Sequence, residues 1–168
     1  MSNYDHKKHR SYVLPMAKTK SGKLVILLGK ESSDGSWSGF GGGKEKNERP
    51  VETAVRECYE ESMGFLGDHK HISSLISHIG STGNHHFYHL PVEYNQKLKS
   101  LYVDNYKLNS MYLKEHLREK TDVDWVDAAQ FRESVMGHRT TVDNATGDRR
   151  LKLGKHFKQD IRNILLAK

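Results

Sequence analysis

Three glutamates, Glu57, Glu60 and Glu61, fall within one turn of a segment with helical periodicity, and three glycines, Gly41, Gly42 and Gly43, stand shortly before it. Carboxylates grouped this closely are a donor set for a hard divalent cation, which takes oxygen ligands and commonly shares them with substrate phosphates. Glycines admit backbone conformations closed to other residues and let a ligand approach the main chain. The combination points to metal-assisted chemistry on a phosphorylated substrate. Pro50 suits the first helical position, where its missing N–H costs nothing. Val51, Ala54, Val55 and Cys58 follow at i, i+3, i+4 and i+7 and make one apolar stripe. At about 3.6 residues per turn, the three glutamates project together beside that stripe. Like charges at this spacing repel, and the helix dipole disfavours anions near the C-terminal end. A bound cation reverses both terms. The competing reading is a solvated acidic face, in which Glu52, Arg56 and Glu60 form an ordinary i,i+4 ladder.

The spacing of residues 42–64 resembles the Nudix box, G-x5-E-x7-R-E-U-x-E-E-x-G-U with U aliphatic. Gly42 stands at the first glycine, Glu48 follows after five residues, and Arg56 and Glu57 follow after seven more. Cys58 takes the first aliphatic position and Glu60 and Glu61 the paired acids. Met63 replaces the second glycine and Gly64 stands at the final aliphatic position, where it is placed to supply a left-handed helix cap one residue late. Every carboxylate of the pattern is kept.

This resemblance implies an α/β fold, the Nudix-type α/β/α sandwich with a mixed β-sheet, and a metal-dependent hydrolase. The bond expected to be cut is a phosphoanhydride in a nucleoside diphosphate linked to another moiety, or in a similar polyphosphate. Dinucleoside polyphosphates, diphosphoinositol polyphosphates and the mRNA cap are examples. It implies Glu57, Glu60 and Glu61 as ligands of Mg²⁺ or Mn²⁺, assisted by a backbone carbonyl of Gly41 or Gly42. Glu57, or a downstream acid in its place, is the implied general base. Glu48 and Arg56 are implied as the salt bridge that holds the loop to the helix. The alternative within the family is a catalytically silent module that binds nucleotide or RNA; such modules usually lose the acids, which are intact here.

The 168 residues suit one domain, with 1–10 as a flexible tail and 11–168 as a single Nudix domain. A net charge of +6 and a pI near 9.3 favour anionic partners, a phosphorylated small molecule or capped RNA. A single cysteine excludes an intrachain disulfide. The sequence lacks an apolar run long enough for a membrane span and a signal-peptide core near its start, so the expectation is a cytoplasmic protein without membrane attachment.

Around the motif, 11–17 and 23–29 read as strands, the second buried on both faces. Residues 73–80 and 85–92 read as a hairpin about the turn Ser81, Thr82, Gly83, Asn84. A helix is expected over 106–120, with Leu108, Met111, Tyr112 and Leu117 inward, then a strand at 122–126 and a helix over 128–136. Residues 137–150 read as a polar loop carrying Arg139, Arg149 and Arg150, whose guanidinium forks match phosphate geometry. With Trp37 and His86, these arginines are the candidate substrate contacts. Glu119, Asp122 and Asp124 are candidates for a further metal ligand or base. Leu153, Phe157, Ile161, Ile164 and Leu165 mark an amphipathic final helix.

Overall fold

The computed structural model describes residues 9–109, 119–137 and 139–168. The chain runs β1 (Arg10–Lys18), β2 (Leu24–Glu31), β3 (Trp37–Ser38), β4 (Phe40–Gly43), α1 (Pro50–Glu61), α2 (His69–Leu75), β5 (Ser77–Thr82) and β6 (His85–Pro91). It continues through α3 (Leu98–Asn109), β7 (Lys120–Asp127), α4 (Ala128–Met136), β8 (Thr141–Asp143), β9 (Arg150–Lys152) and α5 (Lys155–Leu166). The first seven strands form one mixed sheet, in which β1 and β6 are parallel and the other pairings antiparallel.

The central strands splay, and that splay delivers the glycine turn. β1 pairs with β2 only at Met16, Ala17 and Lys18, whereas its first half, Arg10 to Val13, pairs with β4. β2 in turn pairs with β3 at Gly29 and Lys30. The short run β3–β4 therefore fills the wedge between two diverging central strands and feeds straight into α1.

Each face of the sheet carries its own core. One contains Ala54, Val55 and Cys58 of α1, with Val13, Leu27, Tyr88 and Trp125 beneath and Leu98 and Tyr102 of α3 alongside. The other contains Phe131 and Val135 of α4 and Phe157, Ile161 and Ile164 of α5, packed on Leu14, Ile26, Leu28 and Val126. Complete burial of such side chains contributes about 1.5–3 kcal/mol each. The expected stripes of α1 and α5 are the faces buried, and β2 is buried on both sides from Val25 to Gly29.

Elsewhere the fold departs from the sequence reading. Residues 69–75 form α2, capped by the Asp68 carboxylate accepting from the His71 N–H, so the hairpin strand starts only at Ser77. α3 lies earlier than expected and buries Leu98 and Tyr102, while Leu108 is 77% exposed. The expected inward positions Met111, Tyr112 and Leu117 lie outside the described residues. The supposed loop over 137–150 contains β8, which pairs with β9 as a small separate hairpin. The end of the expected N-terminal tail belongs to the fold: His9 is buried and Arg10 opens β1. Among the described residues, no helix is long and apolar enough to cross a membrane.

Candidate metal and catalytic site

The start of α1 is fixed by local chemistry. Pro50 is its first residue, and the Glu52 carboxylate accepts from the Arg49 N–H at 2.9 Å, meeting an otherwise unsatisfied donor. The exit is less usual. Met63, at the position the box gives to glycine, has φ +51°, and Gly64 follows at φ +77°. The chain thus takes the left-handed turn where the motif requires it despite a side chain that disfavours it, and Asn105 Nδ2 lies 3.3 Å from the Met63 sulfur. Gly64 extends the turn rather than replacing it.

α1 lies across the glycines of β4. A side chain on Gly41 would run into the Ser11 carbonyl, and a Cβ on Gly42 would sit 2.6 Å from Glu57 Oε1. Only glycine leaves room there for the helix carboxylates. The Gly41 N–H donates to Glu61 Oε1 at 2.8 Å, so the turn orients one of the acids directly.

The acids divide into two groups. Arg56 gathers the first: its Nε lies 2.7 Å from Glu48 Oε2, its Nη2 donates to Glu48 Oε1 and to the Gly43 carbonyl at 3.0 Å, and Glu60 Oε2 is 3.3 Å from Nη1. The Arg56 guanidinium, with the Glu45 N–H and the Thr53 hydroxyl, pulls the Glu48 carboxyl down to about 2. This is the loop-to-helix clasp expected of Glu48 and Arg56, and Glu60 is part of it.

The second group is Glu57, Glu61 and Glu119, each offering an oxygen within 4.8 Å of the others. Glu57 and Glu61 are buried and Glu119 is exposed. Burial, opposed by Arg56 and reinforced by Glu60 and Glu119, pushes the Glu57 carboxyl up to about 7. Burial pushes Glu61 well above the usual carboxylate range too, with Lys120 opposing and Glu119 and Glu57 adding to the rise. Three hard oxygen donors converging where anions are poorly solvated fit a divalent cation in donor type and placing.

Of the three downstream acids, the structure brings only Glu119 to this cluster. Asp122 is held by Lys99 at 3.0 Å, Arg149 at 2.8 Å and the Val123 N–H. Asp124 accepts from Asn144 Nδ2 and the Trp125 N–H. Two residues unmarked by any motif support the cluster. Tyr102 donates to the carbonyl of Glu61 at 2.7 Å, with the Lys120 carbonyl 3.1 Å away, tying α3 to the end of α1 and the start of β7. The Lys120 ammonium, fully buried, sits 2.5 Å from Glu31 Oε1 and 2.8 Å from Ser38 Oγ.

The remaining candidates are not gathered at the acids. Trp37 is 3% exposed, part of the α4–α5 core with the Arg149 guanidinium 5.0 Å over its ring, so no face is open for stacking a base. Arg149 is held there by Asp122. Arg139 and Arg150 line a cavity of about 670 Å³ beside α4, across the sheet from α1. His86 lies nearer the motif, in a cavity of about 520 Å³ with His9, Lys44, Glu48 and Arg49. Partial burial, then His9 and His78, lower its pKa.

A mixed sheet flanked by helices, with a glycine turn and helix presenting buried carboxylates to a third downstream, defines a phosphoanhydride hydrolase class. Residues 7–144 match the model of the NUDIX domain, and the chain belongs to that family. It is a Nudix hydrolase, a pyrophosphohydrolase acting on acid anhydrides. No curated protein sequence matches the chain. Among solved structures it is similar to the NUDIX domain of Shewanella oneidensis NrtR, crystallised with ADP ribose, at 13% identity and TM-score 0.54 over 94% of this chain and 85% of that one. A MutT/nudix family protein from Enterococcus faecalis matches at 14% identity and TM-score 0.54, over 96% of this chain and 62% of that one. The M. smegmatis Nudix hydrolase RenU matches at 12% identity and TM-score 0.49, over 96% and 86%. These likenesses are likenesses of fold.

Proposed function

We propose that this enzyme cleaves the phosphoanhydride of a nucleoside diphosphate linked to another moiety, or of a similar polyphosphate, with Mg²⁺ or Mn²⁺ held by Glu57, Glu61 and Glu119. The observation that carries the reading is the convergence of these carboxylates within 4.8 Å, two of them buried, beside the glycine turn. Glu60, held by Arg56 in this structure, and a carbonyl of Gly41 or Gly42 are the further donors that the family resemblance implies. When bound, the ion supplies neutralisation of the bridging phosphate oxygens and a more acidic water.

The chain's own residues do the rest. The Gly41 N–H fixes Glu61, and the Arg56 clasp keeps Glu48, Glu57 and Glu60 in register with the turn. Proton acceptance falls to Glu57, as the family resemblance implies, or to Glu119, which reaches solvent. Glu57→Gln and Glu119→Gln separate the roles: loss of the base lowers kcat and removes the acidic limb of the pH–rate profile, whereas loss of a ligand raises the metal concentration needed. ADP ribose, present in the NrtR domain, exemplifies the substrate class, as do dinucleoside polyphosphates and capped RNA. A turnover panel over these compounds with Mg²⁺ or Mn²⁺, wild type beside Glu61→Gln, tests the reading. Hydrolysis of a class member that disappears in the variant and on chelation supports it; full activity in the variant overturns it.

A further inference from the structure

Residues 149–168 carry seven lysines and arginines against one acid, Asp160, so this stretch alone has a net charge of +6, equal to that of the whole chain. Residues 1–30 carry an equal excess, seven lysines and arginines against Asp5, so the positive charge lies in two stretches, of which 149–168 holds β9 and α5. In β9 the buried Leu151 alternates with exposed Arg150 and Lys152, and Lys155 is exposed at the start of α5. While Phe157, Ile161 and Ile164 face the core, Lys158 reaches the Arg139 carbonyl at 3.2 Å and Arg162 the Met136 carbonyl at 3.3 Å. Between hairpin and helices lies the 670 Å³ cavity, where Arg139 and Arg150 stand with Gln130, Ser134, Thr140 and Thr141. Glu133 and Asp143 also line it, and Asp143 lies 3.5 Å from Arg150, a pair with both side chains more than half exposed. This seam belongs to the sheet face opposite α1, away from the acid cluster.

We propose that this face binds the phosphodiester backbone of a nucleic acid, independently of the metal site. The cations are strung along a strand and a helix rather than converging on one point, which suits a chain of phosphates better than a single small anion. Guanidinium forks bind phosphate oxygens bidentately, and the hydroxyls and amide of the cavity suit the sugar–phosphate chain. An acidic membrane surface fits less well. The exposed large apolar side chains Leu24, Tyr59, Phe65, Leu75, Leu101 and Leu108 sit on other elements, and on α5 only Leu166 is exposed. A lipid surface normally takes apolar side chains beside the basic ones.

The test is fluorescence anisotropy with a labelled single-stranded 20-nucleotide RNA, the full chain and EDTA, so that the metal site plays no part. If about four phosphates are neutralised, affinity falls about fiftyfold between 50 and 200 mM salt. Arg150→Glu, Lys152→Glu and Lys155→Glu together, all at exposed positions, are expected to lower affinity at least tenfold while nucleotide turnover with metal stays unchanged. The lysine variant Arg150→Lys is expected to keep binding. Circular dichroism establishes that the triple variant is folded, and Arg139→Ala gives a second, milder reading of the same face. The proposal is overturned by absence of salt-dependent binding, by a folded triple variant that binds like wild type, or by an equal loss in Glu61→Gln. Binding to phosphatidylserine vesicles without binding to RNA overturns it too. DNA of the same length distinguishes backbone recognition, which tolerates it, from recognition of the ribose 2′-hydroxyl.

Discussion

Glu48 and Glu57 belong to the same short motif and contact the same arginine, yet their environments drive them in opposite directions. Glu48 accepts from Arg56, Thr53 and the Glu45 N–H and is pulled to about 2; Glu57, buried beside Glu60 and Glu119, is pushed to about 7 despite Arg56. The comparison separates two uses of one residue type. A carboxylate whose lone pairs are met by donors holds structure, whereas one buried among like charges favours a proton or a cation. Glu61 lies further along the second course, fully enclosed and next to Glu57 and Glu119.

The difference can be broken most sharply at Glu61. Glu61→Gln keeps the acceptor for the Gly41 N–H but removes the charge, so turnover is expected to fall on the order of 10²–10³-fold. The folded state should be retained by circular dichroism. Undiminished turnover would show that the buried acids are not the reactive group.

On the partnered side, Arg56→Ala leaves Glu48 and Glu60 without their shared cation. An outer contact of this kind is expected to cost about 10–100-fold in activity or metal affinity and about 1–3 kcal/mol in stability. Calorimetric titration with Mn²⁺ and urea unfolding read the two losses separately. A variant that lost activity but neither metal affinity nor stability would place Arg56 on the substrate instead.

The two carboxyls also predict opposite pH windows for the metal-free protein. Glu48, depressed from about 4.5, stabilises the fold fully above that value, and the contribution disappears as pH falls towards 2. Glu57, raised, holds its proton more tightly in the folded state, so its contribution is present below about 4.5 and is lost as pH rises towards 7. Tm is therefore expected to decline between pH 5 and 7.5 in EDTA, and Mg²⁺ to raise Tm at pH 7.5 but not at pH 4.5. A metal-induced shift equal at both values would contradict the assignment of the raised carboxyls to the ion.

The smallest effect is expected at Tyr102. Removing its hydroxyl with Tyr102→Phe takes a donor from the Glu61 carbonyl, at a cost of about 1 kcal/mol. Activity should change little unless α3 sets the position of Glu61 relative to Glu119, in which case the metal requirement rises as well.

The local part of this protein was legible in the sequence because it depends on short-range rules. Pro50 and the Val51–Ala54–Val55–Cys58 stripe set the helix, the Gly42–Glu48–Arg56–Glu57 spacing identified the clasp, and the apolar run of β2 marked a doubly buried strand. α2 escapes the sequence reading because Ser73 and Ser74 have no marked helix preference and residues 73–75 read as the start of the hairpin strand. α3 lies earlier than expected because Leu108 starts an apolar series with Met111 and Tyr112 in the sequence, whereas packing on β7 buries Leu98 and Tyr102 instead.

For the site the division is the same. Composition and spacing placed Glu57, Glu60 and Glu61 on one helical turn, set the net positive charge and kept every carboxylate of the box, though not its second glycine. They could not rank Glu119, Asp122 and Asp124, which lie within six residues and carry the same charge. The tertiary structure ranked them by what each meets: Lys99 and Arg149 occupy Asp122, Asn144 occupies Asp124, and Glu119 reaches Glu57 and Glu61. It likewise buried Trp37 and moved Arg139 and Arg150 across the sheet from the acids, because a side chain's partners come from elements distant in sequence. A motif fixes neighbours along one helix, and the fold alone decides what faces them.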